Sequence, residues 1–416
     1  MTFPIDAVRA RFPALHVTDE DRARVYLDAP GGTQVCSAAI EAMTRHLSTG
    51  TANAGGAFAT SVATDATSRA AHRAIADLIG AHPDEIAIGP NMTSLTFAAS
   101  RALSRDWQPG DELVVTRLDH DANVAPWLAV AADRGMTVRW LDFDPADGRL
   151  CLDLLAPLLN DRTRLVAVGA ASNALGTVND VARIVGIVRS TARDALIYVD
   201  AVQSAPHLPI DVATLGCDLL ACSPYKMFGP HAGVLWAKRS VVDRVEAYKV
   251  RPAGNVGMRR FETGTPSFEA QAGMVGMVDY LAWLGGELVP DQSDRRARLL
   301  AALAGCERYE SILGERLLAG IAQSNAITLV GPRTMAGRVP TFAFTVEGMS
   351  SADVAQELAN RGIFVWSGHF YAIETLARLD LADATGLVRV GFCHYNTVAE
   401  VDLLLAALAD ITSAVA

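Results

Sequence analysis

Up to about residue 240, short runs of Val, Ile and Leu alternate with longer amphipathic stretches, the pattern of parallel strands joined by helices. Strands are expected at 86–88, 113–116, 138–141, 165–168, 197–199, 219–222 and 234–237, and apolar positions at helical spacing fill 61–80, 124–134 and 182–191. The fold class that follows is α/β, with a mostly parallel, doubly wound sheet whose ligand sits beyond the carboxyl ends of its strands. After about residue 265 the texture changes to long helical segments, 270–284 and 293–323, and then to strands at 339–346, 363–366 and 387–392. A large domain over 16–265 and a smaller C-terminal α/β domain over 266–416, joined by residues 1–15, are expected. No Ser/Gly-rich or Pro-rich linker separates them, so the two should pack tightly.

Half of the 416 residues are hydrophobic and a fifth are charged, enough for an ample core. The net charge of −10, without any Lys/Arg-rich block, argues against nucleic acid as a partner and leaves small molecules. Six scattered cysteines form no paired framework, and Cys217 and Cys222 lack neighbours at zinc-ligand spacing, so reduced thiols and no metal are expected. The N-terminus has no basic segment followed by an apolar core, and no apolar run is long enough to span a bilayer. The expected setting is cytoplasmic, away from membranes.

Asp200 closes the strand at 197–199, and Lys226, in Ser223-Pro224-Tyr225-Lys226-Met227-Phe228-Gly229, lies just past the next strand. Pyridoxal phosphate chemistry requires such a pair: the amine carries the cofactor, and the carboxylate keeps its pyridine nitrogen protonated so that the ring accepts electrons. The plainer readings are a loop-capping aspartate and a lysine snorkelling to the surface. Asn91-Met92-Thr93-Ser94 follows a strand and opens a helix, a place for a phosphate or an ordinary N-cap. In Asp119-His120-Asp121-Ala122-Asn123, a flat imidazole can cover a cofactor ring and move a proton; otherwise His120 is a surface residue, with Asp119 or Asp121 as cap. Asn173, before Gly176, reads as a functional amide or a turn residue, and Arg389 as a carboxylate clamp or a strand-end surface arginine. No role is assigned to His82, His207 or His231.

Taken in order from Tyr26-Leu27-Asp28 to Tyr395-Asn396, these motifs resemble the cysteine desulfurase and selenocysteine lyase branch of the class V aminotransferase family, pyridoxal phosphate enzymes of fold type I. The resemblance implies that Lys226 carries the cofactor, Asp200 pairs with its ring nitrogen and His120 stacks on the ring. Thr93, the backbone of Met92, Ser223 and Tyr225 would bind its phosphate, with Tyr225 standing where the family has histidine. Asn173 and Gln203 would reach the phenolic oxygen, and Asn173 and Arg389 the substrate carboxylate. Phe261-Glu262-Thr263-Gly264-Thr265-Pro266 resembles a loop that crosses a dimer interface, so Thr265 would touch the partner's phosphate in a homodimer with shared active sites.

Three further positions depart from the family. Tyr371 stands where true desulfurases carry the persulfide-forming cysteine, Trp366 replaces an arginine and Gly55 a histidine. A phenol cannot accept sulfane sulfur as a thiolate does. Cys393, close in sequence to Arg389, reads as a substitute thiol or, more readily, as a small core residue. The function implied is a pyridoxal-phosphate-dependent lyase cleaving the carbon–sulfur bond of cysteine or an S-substituted cysteine, with His120 or Tyr371 protonating the leaving group and Tyr371 contacting substrate. An aminotransferase or epimerase of the same superfamily, and a non-catalytic pyridoxal-phosphate-binding protein, remain as alternatives.

Overall fold

The computed structural model describes residues 3–381 and 386–413. Its large sheet contains β1 Ile86–Gly89, β2 Glu112–Thr116, β3 Thr137–Leu141, β4 Thr163–Gly169, β5 Leu196–Asp200, β6 Leu219–Cys222 and β7 Gly233–Ala237, each at an expected position. They lie in the order β1-β7-β6-β5-β4-β2-β3. Strands β2 to β6 pair in parallel, whereas β7 runs antiparallel to both β6 and β1. The cause is the connection between β6 and β7, too short for the helical crossover of a parallel return. That same short connection carries Lys226.

Burial on both faces explains the near-continuous apolar runs. Val166, Val168, Ile197, Val199 and Leu220 join one core with α1 Ala59–Ile79, while Leu165, Ala167, Tyr198 and Leu219 join another with α2 Met92–Leu103 and α3 Ala125–Arg134. The first layer also takes α4 Val181–Thr191 and α5 Phe268–Leu288. Local signals set the ends: Gly80 at φ 73° terminates α1, and the Asn91 side chain accepts the Ser94 N–H (2.8 Å) to open α2.

After α6 Arg295–Ile321, a second sheet of β8 Ile327–Val330, β9 Thr341–Val346, β10 Trp366–Gly368 and β11 Leu387–Gly391 is ordered β8-β9-β11-β10, entirely antiparallel. Strand β8 was not among the expected strands; only its first residue is buried, so its apolar signal is weak. The single strand expected at 363–366 is divided, because Ile363–Phe364 pairs with Val25–Tyr26 before the chain changes partner and joins β11. Val25, Leu27, Phe342, Phe344, Val388 and Val390 share a core with α6, α7 Ser351–Asn360 and α8 Val398–Ser413. Val8, Phe12 and Leu15 pack beneath the large sheet, while Arg9 donates to the Tyr395 carbonyl (2.7 Å) and Glu400 (2.9 Å). Among the described residues, no helix is long and apolar enough to cross a membrane.

Candidate active site

The carboxyl ends of β4, β5 and β6 and the start of α2 converge on a cavity of about 100 Å³ lined by Met92, Thr93, His120, Asn173, Asp200, Gln203, Ser223, Tyr225 and Lys226. Pro224 opens a single 3-10 turn that closes when Lys226 N–H meets Ser223 O (3.1 Å), leaving the lysine Nζ 3.4 Å from Gln203 Oε1. The Gln203 amide nitrogen donates to Thr341 Oγ1 of β9 (3.0 Å), so the smaller sheet fixes which end of the amide faces the lysine. Asp200 Oδ1 accepts the Val202 N–H (2.8 Å). A Cβ at Gly233 would collide with the Asn91–Met92 peptide, so glycine there lets the first turn of α2 lie against β7 at the cavity's edge.

Ser223 Oγ and Asn173 Oδ1 are buried without a protein partner among the described residues. Leaving such atoms unpaired costs about 1–3 kcal/mol each, which a polar ligand would offset. The open N–H groups at the start of α2 suit a phosphate, Asp200 suits a protonated ring nitrogen and Lys226 an aldehyde, so the residues present fit pyridoxal phosphate.

A wider, open cavity of about 390 Å³ adjoins the first, shares His120, Asn173, Tyr225 and Lys226 with it, and adds Trp366, Phe370, Tyr371 and Arg389. Arg389 donates from Nη1 to Asn173 O (2.9 Å), and its guanidinium lies 4.2 Å from the Phe370 ring centre. Its Nε is buried without an acceptor among the described residues. Tyr371 is 64% exposed, with its ring 5.5 Å from His120 at 25° between planes. Phe370 and Tyr371 both adopt left-handed backbone, φ 55° and 57°, which bulky side chains disfavour. Asn173 Nδ2, donating to Phe370 O (2.8 Å), and the Asp121 N–H, donating to Tyr371 O (2.7 Å), hold them there.

Burial lowers the Lys226 pKa to about 7, with Arg389 pushing the same way and Asp200 opposing. Burial likewise raises Asp200 to about 6, against the pull of the Val202 N–H and Lys226. His120 is pushed down to about 3, by burial first and then by Lys226 and Arg389, so the ring stays neutral. Its Nδ1 accepts the Ala122 N–H (3.0 Å), which puts the proton on Nε2. Burial lowers Arg389 to about 9, partly offset by Tyr225 and Asp28.

Eleven of the twelve expected site residues thus line one or both cavities; Thr265 does not. It lies exposed in a loop anchored by Glu262, which binds His72 Nε2 (2.6 Å) and the Ile88 N–H (2.9 Å). Gly55 is exposed and lines neither cavity. Cys393 is buried in the core, its N–H bonded to Asn396 Oδ1 (2.8 Å). The cap at the His120 turn is His120 itself rather than Asp119 or Asp121; Asp119 Oδ1 accepts the Gly169 N–H (2.6 Å) and pins the end of β4. His231 stacks on Tyr225 at 4.9 Å and 6°. Sequence reasoning missed Thr341, Asp119 as an anchor, and Asp28, a half-buried acid raised by burial to about 6 against the pull of a backbone N–H and of Arg389. Asp28 had a signal in Tyr26-Leu27-Asp28; Thr341 had none, being 138 residues from Gln203.

Residues 25–404 match the protein family described as Aminotransferase class-V. The aminotransferase-like protein FGM3 of Gibberella zeae is 34% identical, over 98% of each chain. A cysteine desulfurase of Yersinia pseudotuberculosis is 30% identical over 99% of each. The apo structure of a cysteine desulfurase from Thermococcus onnurineus NA1 superposes with a TM-score of 0.87 at 26% identity, covering 100% of this chain and 99% of that one.

Proposed function

Because this chain belongs to the class V aminotransferase family, we propose that it is a pyridoxal-phosphate-dependent lyase that cleaves the carbon–sulfur bond of cysteine or an S-substituted cysteine. The observation that carries this reading is the meeting of a buried lysine brought near neutrality, a strand-end carboxylate and a buried arginine with an unused donor around two joined cavities. When bound, pyridoxal phosphate draws electrons from the substrate's Cα. Lys226 would hold it, with Asp200 at the ring nitrogen, His120 over the ring, Asn173 and Gln203 at the phenolic oxygen, and Ser223, Tyr225, Thr93 and the Met92 N–H at the phosphate.

Arg389 binds the substrate carboxylate and fixes which Cα bond breaks. The neutral Lys226 amine takes the Cα proton, and the leaving thiolate receives a proton from His120 Nε2 or the Tyr371 hydroxyl. With one water, the S-substituted cysteine becomes pyruvate, ammonia and a thiol. Elimination is favoured over sulfur transfer because Tyr371 stands at the position of the persulfide-forming cysteine, five cysteines are buried and Cys151 lines neither cavity. In Lys226→Ala, thiol release from S-methyl-L-cysteine is expected to vanish; undiminished release would refute the assignment.

The same reading divides the chain near residue 265 into a cofactor-binding domain and a smaller C-terminal one, although Val8, Phe12, Leu15 and α5 pack with the large sheet. It also makes the protein a homodimer in which Thr265 reaches the partner's phosphate, supported by its exposed position and by the exposed apolar side chains Phe58, Tyr248, Val250 and Val256. Six unpaired cysteines support a reducing, cytoplasmic setting.

A further inference from the structure

Beyond the groups that suit an amino acid's carboxylate and amine, the wider cavity is walled by rings. Trp366 and Arg389 are direct partners across β10 and β11, so their side chains leave the sheet on the same face. A Cβ at position 31 would collide with the Trp366 indole, so the indole occupies space that any larger residue than Gly31 would claim. Trp366 is 50% exposed and Tyr371 64%, yet both line this one cavity, roughly four times the volume of the inner one. Among the described residues, Lys226 and Arg389 are its only lysine and arginine, and no aspartate or glutamate lines it. A charged substituent would find no counter-ion beyond those two. A bare thiol or methylthio group would leave both rings in water, whereas an apolar ring would cover them.

We propose that Trp366 and Tyr371 form a receptor for a large, apolar, ring-bearing S-substituent, making the substrate an aralkyl conjugate of cysteine rather than cysteine itself. The identification of the conjugate as a cysteine rests on the lyase reading above; the receptor rests on the ring-lined wall beside Arg389.

The test is calorimetry on the pyridoxal-phosphate-loaded protein with L-norvaline and L-2-amino-5-phenylpentanoic acid. A methylene replaces sulfur in both, so no thiolate can leave and binding alone is read. The phenyl compound should bind at least about tenfold tighter, since its ring adds apolar area that the receptor removes from water. Trp366→Ala should shrink that ratio to within about threefold, and Gly31→Ala, which displaces the indole without removing it, should shift it the same way. Equal affinities in the unaltered protein, or an advantage surviving both variants, would overturn the receptor. Thiol release from S-methyl- and S-benzyl-L-cysteine is followed in parallel. Release from neither, with the binding preference intact, would refute the lyase reading and leave the receptor standing; release from both without a preference would refute the receptor alone.

Discussion

The two cavities that meet at Lys226 are built by different means. The inner one is closed by the ends of central, fully buried strands, and its groups are held by bonds across the fold: Gln203 to Thr341 at 3.0 Å, Asp119 to the Gly169 N–H at 2.6 Å. The outer one depends on a three-residue strand, two successive left-handed residues and half-exposed rings. The carboxylates Asp119 and Asp200 line the first, Lys226 lines both, and Arg389 lines the second together with Trp366, Phe370 and Tyr371. Proton chemistry needs fixed, desolvated groups, whereas selection among substituents needs only a shaped apolar wall on replaceable side chains. Most positions that match the class V pattern accordingly line the inner cavity, with Arg389 in the outer one, and of the departures Tyr225 lines both, whereas Trp366 and Tyr371 line only the outer one.

That division predicts which substitutions act on every substrate alike. Asp200→Asn, which removes the buried charge expected at the ring nitrogen, should lower kcat by about 10²–10³-fold for all substrates, measured in steady state. Arg389→Ala should lower kcat/KM by about 100-fold, again without regard to the S-substituent, because charge-assisted bonds to a carboxylate are lost. A substrate-dependent loss in either variant would break the division.

Uptake of pyridoxal phosphate by the cofactor-free protein, followed by absorbance, sharpens the inner half of the comparison. With Lys226 lowered to about 7, its amine is protonated and unreactive below that pH and neutral above it. The uptake rate should therefore fall about tenfold for each pH unit below 7 and level off above it, whereas an unshifted lysine would keep the rate rising towards pH 10.5. Trp366→Ala should act on the outer cavity alone, lowering kcat/KM for S-benzyl-L-cysteine about tenfold more than for S-methyl-L-cysteine. Smallest is Thr341→Val: losing one hydrogen bond to Gln203 should cost about fivefold in kcat, equally for both substrates.

Much of the inner cavity was legible because its residues follow strands whose apolar runs announce themselves; all seven expected strands of the large sheet are present. Asp200 and Lys226 could be placed from the strands they follow, and Asn173 and His120 from their motifs. The antiparallel course of β7 was less visible, since direction is set by a connection length rather than by apolar content. Thr341 and Asp119 were missed because their roles exist only through contacts with Gln203 and Gly169, distant in sequence. The replacement of arginine by Trp366 was legible, but not that the indole would lie over Gly31 as a direct partner of Arg389.

The most direct test of carbon–sulfur lysis at this site is the stoichiometry of products from S-methyl-L-cysteine, with pyruvate, ammonia and methanethiol quantified together. Equal amounts of all three, absent in Lys226→Ala, are predicted. A keto acid or D-amino acid that retains the methylthio group would contradict the account.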